Sequence, residues 1–150
     1  MVELISDEKV EVISNEKSLL AIILRRDFKK PGVHFFTPGE FSQQLGYMNY
    51  PAGKTIEPHV HNPVSRQVIF TREVLLIRTG KLRVDFYNDA REYLESRVLE
   101  AGDTILLIAG GHGFEVLEAV EMIEVKQGPY VGDADKTRFT GISGAQVLEK

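Results

Sequence analysis

Two of the four histidines, His59 and His61, are separated by one residue and could bind one metal ion together. In a strand, side chains at positions i and i+2 project from the same face, so both imidazoles can reach a point about 2 Å away. Glu73 could add an oxygen ligand from a second strand. Imidazole nitrogens with one carboxylate suit Fe(II), Mn(II), Ni(II), Zn(II) or Cu(II). The pattern predicts a transition-metal site, although the histidine spacing alone also fits a solvated strand.

The elements that would position these ligands are predicted to be strands. We expect residues 53–61 and 73–84 to be extended and to place their side chains on opposite walls of a barrel. Short aliphatic and β-branched runs separated by turn residues are typical of a sandwich or barrel. The clearest of these runs are residues 19–24, 74–77, 82–86, 104–108 and 120–125.

Residues 81–86 alternate strictly between charged and apolar side chains. This period of two is typical of a strand with one solvated and one buried face. We therefore expect Leu82, Val84 and Phe86 to point inward and the charged residues between them to face solvent.

Glycine marks two predicted hairpin turns, at residues 79–81 and 101–103, because it adopts the positive φ angles that tight turns need. Residues 88–91 are predicted to form a third turn, and the polar stretch from there through Ser96 an exposed loop. The tail, residues 128–139, is predicted to be irregular.

Composition limits the class of protein. With 150 residues and no cysteine, the sequence favours one domain over residues 1–150 and excludes disulfides, thiolate metal sites and cysteine nucleophiles. The net charge of −4 gives no reason to expect a nucleic-acid or anionic-membrane partner. Residues 1–8 are acidic and do not resemble a secretory signal, and no apolar stretch reaches the ~20 residues of a membrane span. We expect a cytoplasmic protein.

The order of glycine, histidine and glutamate resembles the first motif of the cupin superfamily, small β-barrels of jelly-roll type. The matching residues are Gly53, His59, His61, Glu73 and Gly80, and residues 102–112, ending in His112, resemble the second motif. The resemblance covers about residues 45–127. It implies an all-β fold, a double-stranded β-helix with little helix, around which N-terminal strands and a C-terminal tail pack.

The sequence departs from the family pattern between the two halves of the first motif. Eleven residues, 62–72, separate His61 from Glu73, where the family usually has three or four. Either this loop is lengthened or Gln67 replaces Glu73, and the intact spacing from Glu73 to Gly80 favours the longer loop. The second motif also departs, with Ile108 in place of a proline, His112 one residue early and Val116 in place of an asparagine.

The resemblance implies a metal held by His59, His61, Glu73 and His112. These ligands leave one or two positions of a six-coordinate ion open for a small molecule or O₂. Arg66, Gln67 and Arg72 are candidates for holding an anionic substrate, and Glu115 and Tyr50 for proton transfer.

Three functions fit this site. The first is a metal-dependent enzyme acting on a small organic molecule, with oxygenase or isomerase/lyase chemistry. The second is a non-catalytic domain that binds a small molecule such as a sugar. The third is a metal-free isomerase of nucleotide-sugar or polysaccharide metabolism, which is implied by similarity to small cupins that use a His and Tyr pair.

A homodimer is the expected assembly. Small jelly rolls commonly pair through adjacent or exchanged edge strands, which covers exposed backbone groups. Residues 28–52 are rich in aromatic side chains and are predicted to pack over a barrel mouth or against a partner subunit.

Overall fold

The structure is a computed structural model that describes residues 6–16 and 18–150. Most of the acidic N-terminus lies outside the described residues. The described residues form eight strands and two 3-10 helices, Gly132–Asp135 and Gly144–Gln146, so the chain is nearly all β, as predicted. The strands are β1 (Val10–Asn15), β2 (Ser18–Leu24), β3 (Gly32–Phe35), β4 (Gly46–Asn49), β5 (Glu73–Tyr87), β6 (Tyr93–Glu100), β7 (Thr104–Leu107) and β8 (Gly111–Lys126).

The main sheet is antiparallel and is organised around the long strand β5. Strands lie in the order β1, β2, β7, β5 and β6, and β8 pairs along the other side of β5. The first part of β5 pairs with β7 and its second part with β6. Strand β8 spans both parts, from Glu73 opposite Lys126 to Tyr87 opposite Gly111.

A bend at the middle of β5 curls the sheet into a half-barrel. The register with β8 shifts three times between Ile77 and Leu82, and Gly80 has a φ of 86°. A Cβ atom on Gly80 would lie 2.0 Å from the Ala119 carbonyl oxygen, so the close backbone approach also requires glycine. The hairpin turn predicted at residues 79–81 is therefore wrong, and the glycine instead forms an irregularity within one continuous strand.

Apolar side chains fill both faces of the sheet. Leu82, Val84 and Phe86 belong to the core on the concave face, as predicted. The other face of the sheet is covered by the hairpin β3–β4, where Phe28 contacts Tyr47 edge-on at 4.8 Å between ring centroids. The aromatic connection of residues 28–52 thus packs on the outside of its own sheet.

Two predictions near β6 are wrong. Arg83 and Asp85, expected in solvent, are buried because they form an ion pair and Ser96 donates a hydrogen bond to Asp85. The predicted exposed loop through Ser96 enters β6, and Ser96 is fully buried because the C-terminus runs beside it. The Ser96 amide donates to the Leu148 carbonyl at 2.8 Å.

The other predicted strands and turns are confirmed. The runs at residues 19–24, 74–77, 82–86 and 120–125 lie in strands, the run predicted at 104–108 forms a strand that ends at Leu107, and residues 101–103 and 88–91 form turns. The strand predicted over residues 53–61 is wrong, because this stretch has no regular structure and every residue in it is exposed. None of the described helices has the length and apolar character required to cross a bilayer.

Candidate functional site

The concave side of the curled sheet encloses a cleft of about 1310 Å³. Leu75, Leu107 and Phe114 provide apolar lining, and Lys136 of the C-terminal tail also lines it. This volume exceeds the roughly 300–1,000 Å³ of typical small-ligand pockets, so the cleft has room for a small organic molecule.

Glu73 and His112 form the polar centre of the cleft. Glu73 begins β5 and His112 is the second residue of β8, and the sheet's curl brings Glu73 Oε2 to 3.4 Å from His112 Nε2. The side chain of Glu73 is 11% exposed and that of His112 is 30% exposed. The pair therefore remains accessible to a molecule in the cleft.

The electrostatic surroundings keep Glu73 ionised. The hydrogen bond with His112 lowers the pKa of Glu73 below its usual range, while burial opposes this shift. The positive charges of Lys126 and Lys136 add to the lowering. The cleft thus contains a largely buried carboxylate that is charged at neutral pH.

His59 and His61 form a second cluster on an exposed stretch, residues 51–70, which we name the histidine segment. Their ring centroids are 5.2 Å apart. His59 Nδ1 lies 2.9 Å from the Glu57 carbonyl oxygen. Because a carbonyl oxygen only accepts hydrogen bonds, Nδ1 is the donor, and in the neutral imidazole Nε2 has the lone pair that a metal needs.

The two clusters remain apart within one copy of the chain. The cleft is lined by Glu73 and His112 but not by His59 or His61. No group of three or more His, Asp or Glu side chains able to hold a metal occurs among the described residues. Each cluster supplies two ligands of suitable chemistry, which is half of the set that the sequence predicts.

Arg72 connects the histidine segment to β5 and is held firmly. Its guanidinium lies over the Phe41 ring, 4.0 Å from the centroid, and its backbone amide donates to Gln127 Oε1 at 2.7 Å. The neighbouring Thr71 donates a hydrogen bond to Asp135. Arg72 lines the cleft, but its charged group faces an aromatic ring.

The other candidate residues lie outside the cleft lining. Arg66 and Gln67 are exposed on the histidine segment. Glu115 forms an ion pair with Arg83 at 2.8 Å, and the Tyr50 ring lies 5.9 Å from Lys54 Nζ. The structure therefore places none of these four beside Glu73 and His112.

Sequence reasoning missed the C-terminal tail as part of the cleft. The tail is anchored by Tyr87, whose hydroxyl accepts a hydrogen bond from the Ile142 amide at 3.0 Å and whose ring contacts Phe139 edge-on at 5.1 Å. Lys136 lines the cleft from this tail. The sequence feature that could have indicated this role of the tail is the cluster of charged residues 133–138 within an otherwise irregular stretch.

Comparison of the chain with protein-family models, with curated proteins and with solved structures gives no match. The arrangement of Glu73 and His112 in the cleft is therefore the basis on which a function can be argued.

Proposed function

We propose that this protein is a cupin-like jelly-roll protein that binds one divalent transition metal and a small organic molecule in its cleft. The proposal is supported chiefly by the 3.4 Å approach of Glu73 Oε2 and His112 Nε2, which come from two different strands. A carboxylate and an imidazole that converge on one point inside a cleft are suited to a first-row metal ion.

His59 and His61 complete the ligand set of this proposal. Two ligands hold a metal weakly, whereas three imidazoles and a carboxylate form a set typical of catalytic centres with open positions. His59 would bind through Nε2, because Nδ1 is engaged by the Glu57 carbonyl. The metal would polarise an oxygen atom of the bound molecule, which fits oxygenase or isomerase/lyase chemistry.

The chain's own residues would select the molecule. Leu75, Leu107 and Phe114 contact its apolar part, and Lys136 attracts an anionic group. The substrate class is thus a small molecule with an oxygen donor and a negative charge.

A Co²⁺ titration with elemental analysis tests the metal site. We expect about one ion per wild-type chain and at least tenfold weaker binding by His112→Ala, since ligand loss removes a direct bond. His34→Ala is the matched control, because His34 contacts Phe28 and Tyr47 on the other face of the sheet. A wild-type protein that binds no Co²⁺, Zn²⁺ or Fe²⁺ contradicts the proposal.

Binding of a small molecule such as a sugar without metal is the second candidate. It is favoured by the separation of the two ligand clusters in one chain, while the cleft itself forms without His59 and His61. Thermal stabilisation of chelator-treated protein by a panel of monosaccharides and sugar phosphates would support it. Stabilisation that requires added metal would favour the first candidate.

A further inference from the structure

Strand β8 has an edge to which another strand could bind. It contains 16 residues, and among the described residues it pairs only with β5. The backbone N–H and C=O groups along its other side are therefore available to a further strand. An edge this long is unusual unless another segment covers it.

On the concave face of the sheet, apolar side chains of β8 are exposed. Val116 lies opposite Leu82 in the register, so their side chains share one face. Leu82 is fully buried, whereas Val116 is 56% exposed. Phe114, opposite the buried Val84, is exposed in the same way. The apolar core thus continues onto β8 without a layer above it.

The histidine segment has the features of the missing strand. Extended, it would place His59 and His61 on one face and the exposed apolar residues Ile56 and Val60 on the other. Pro58 cannot donate a backbone hydrogen bond, which suits an edge strand whose neighbour lies on one side only. Within the described residues, no backbone hydrogen bond joins this segment to a strand.

Charge complementarity relates the two surfaces. Strand β8 exposes four glutamates, Glu115, Glu118, Glu121 and Glu124, and Lys126 is its one lysine or arginine. The histidine segment carries Lys54 and Arg66 against a single Glu57. Opposite net charges favour association of the segment with the strand and oppose association of either surface with itself.

We propose that the histidine segment of one copy binds the free edge of β8 in a second copy, and that His59 and His61 thereby complete the metal site formed by Glu73 and His112 of that copy. This inference rests on the proposed metal-binding function. Both ends of the segment are held on its own chain, by the hairpin β3–β4 and by Arg72. Every residue of the segment is exposed, and of its residues only Ile69 and Phe70, next to Arg72, line its own cleft.

Reciprocal exchange would give a closed dimer. Each copy offers one segment and one edge, so a two-fold axis satisfies both surfaces and leaves none for further growth. The 20 residues of the segment and the 12 exposed residues of β8 are together as many as the roughly 20–30 residues a side of a standard interface requires. The exchanged dimer would therefore contain two metal sites, each built from both chains.

Complementation between two inactive variants tests the exchange. One copy carries His59→Ala and His61→Ala, and the other carries Glu73→Gln and His112→Ala, with different affinity tags for purification of the mixed dimer. Each variant alone should bind no Co²⁺. The mixed dimer should bind about one Co²⁺, against about two for the wild-type dimer, because exchange reunites one complete ligand set. A mixed dimer that binds none, beside a wild type that binds Co²⁺, overturns the exchange and leaves the proposed function standing.

A cross-linking experiment tests the exchange without metal. The chain has no cysteine, so Val60→Cys in one copy and Leu117→Cys in the other provide unique sites for a short bis-maleimide. We expect a covalent dimer from the mixed copies. A third protein carries both Val60→Cys and Leu117→Cys in one chain. If the mixed copies do not cross-link, and this double variant cross-links only within its own chain at low protein concentration, the exchange is overturned. If the cross-link forms but the wild type binds no Co²⁺, the strand pairing holds while the shared metal site and the proposed function fail.

Discussion

Glu73 Oε2 lies 3.4 Å from His112 Nε2, although the two residues lie near opposite ends of the pairing between β5 and β8. Glu73 pairs with Lys126 and His112 pairs with Phe86. Only a strongly curled sheet can bring such distant positions into contact. The irregularity at Gly80 is therefore a structural requirement for the candidate site.

Gly80→Ala should destabilise the protein by more than about 2 kcal/mol, because the new Cβ meets the Ala119 carbonyl in a backbone region unfavourable for alanine. Gly53→Ala is the control: its φ of 85° is nearly the same, but nothing lies within 4 Å of the added Cβ. It should cost only about 1 kcal/mol. Urea unfolding measures both, and equal costs would contradict the close approach at Gly80.

Asp85→Ala should cost about 1.5–3 kcal/mol, because it removes the carboxylate that faces the buried guanidinium of Arg83 at 2.8 Å and leaves Glu115 as the remaining partner of Arg83. Adding Arg83→Met should recover part of this loss by removing the charge that has lost its buried partner. A double-mutant cycle by denaturant unfolding measures the coupling. Additive costs in the double variant would mean that the two side chains do not interact.

The free energy of unfolding should fall on acidification, because acid protonates Glu11 and Glu95, the two carboxylates beside Arg97. Burial raises the pKa of Glu11 and Glu95, but Arg97 with Arg25 or Lys150 outweighs it, so both pKa values lie below their usual range. A carboxylate with a depressed folded pKa stabilises the fold above its unfolded pKa, and this contribution is lost as pH falls through the folded value.

Arg97→Met should therefore destabilise the protein at pH 7 by about 1–3 kcal/mol, and the difference from wild type should shrink toward pH 3. Thermal unfolding across this range provides the measurement. Arg138→Met is the control, since its ion pair with Asp133 is largely exposed, and should change little at any pH. A difference for Arg97→Met that is constant with pH would argue against the ion pairs.

Tyr87→Phe should loosen the tail that lines the cleft, because the Ile142 amide loses its acceptor on the Tyr87 hydroxyl. The ring contact with Phe139 would remain. Hydrogen exchange at residues 141–143 should accelerate roughly tenfold, while exchange in β5 stays unchanged. Unchanged exchange at Ile142 would show that the hydroxyl does not anchor the tail.

Local patterns predicted which residues form strands and which apolar side chains are buried. Leu82, Val84 and Phe86 have the expected orientation because alternation specifies one face of a strand whatever its neighbours are. The same pattern failed for Arg83 and Asp85, since their burial depends on their mutual ion pair and on Ser96 of another strand. The alternation of charged and apolar residues along one strand carries no information about such long-range partners.

Gly80 and the histidine segment show a second limit of the sequence. A glycine with positive φ fits a hairpin turn and a bulge equally well, and only the position of Ala119 distinguishes them. Residues 53–61 have the side-chain pattern of a strand, but a strand also needs a neighbour that supplies hydrogen bonds. The sequence thus suggested a chemistry for His59 and His61 without specifying their surroundings.

Arg72 fixes the position of the chain at the C-terminal end of the histidine segment. Its guanidinium on Phe41 and its amide on Gln127 hold the chain immediately before Glu73. These contacts fix the position of the Glu73 carboxylate independently of the path that residues 51–68 take. Pairing of those residues with another surface therefore requires no rebuilding of the β5 end.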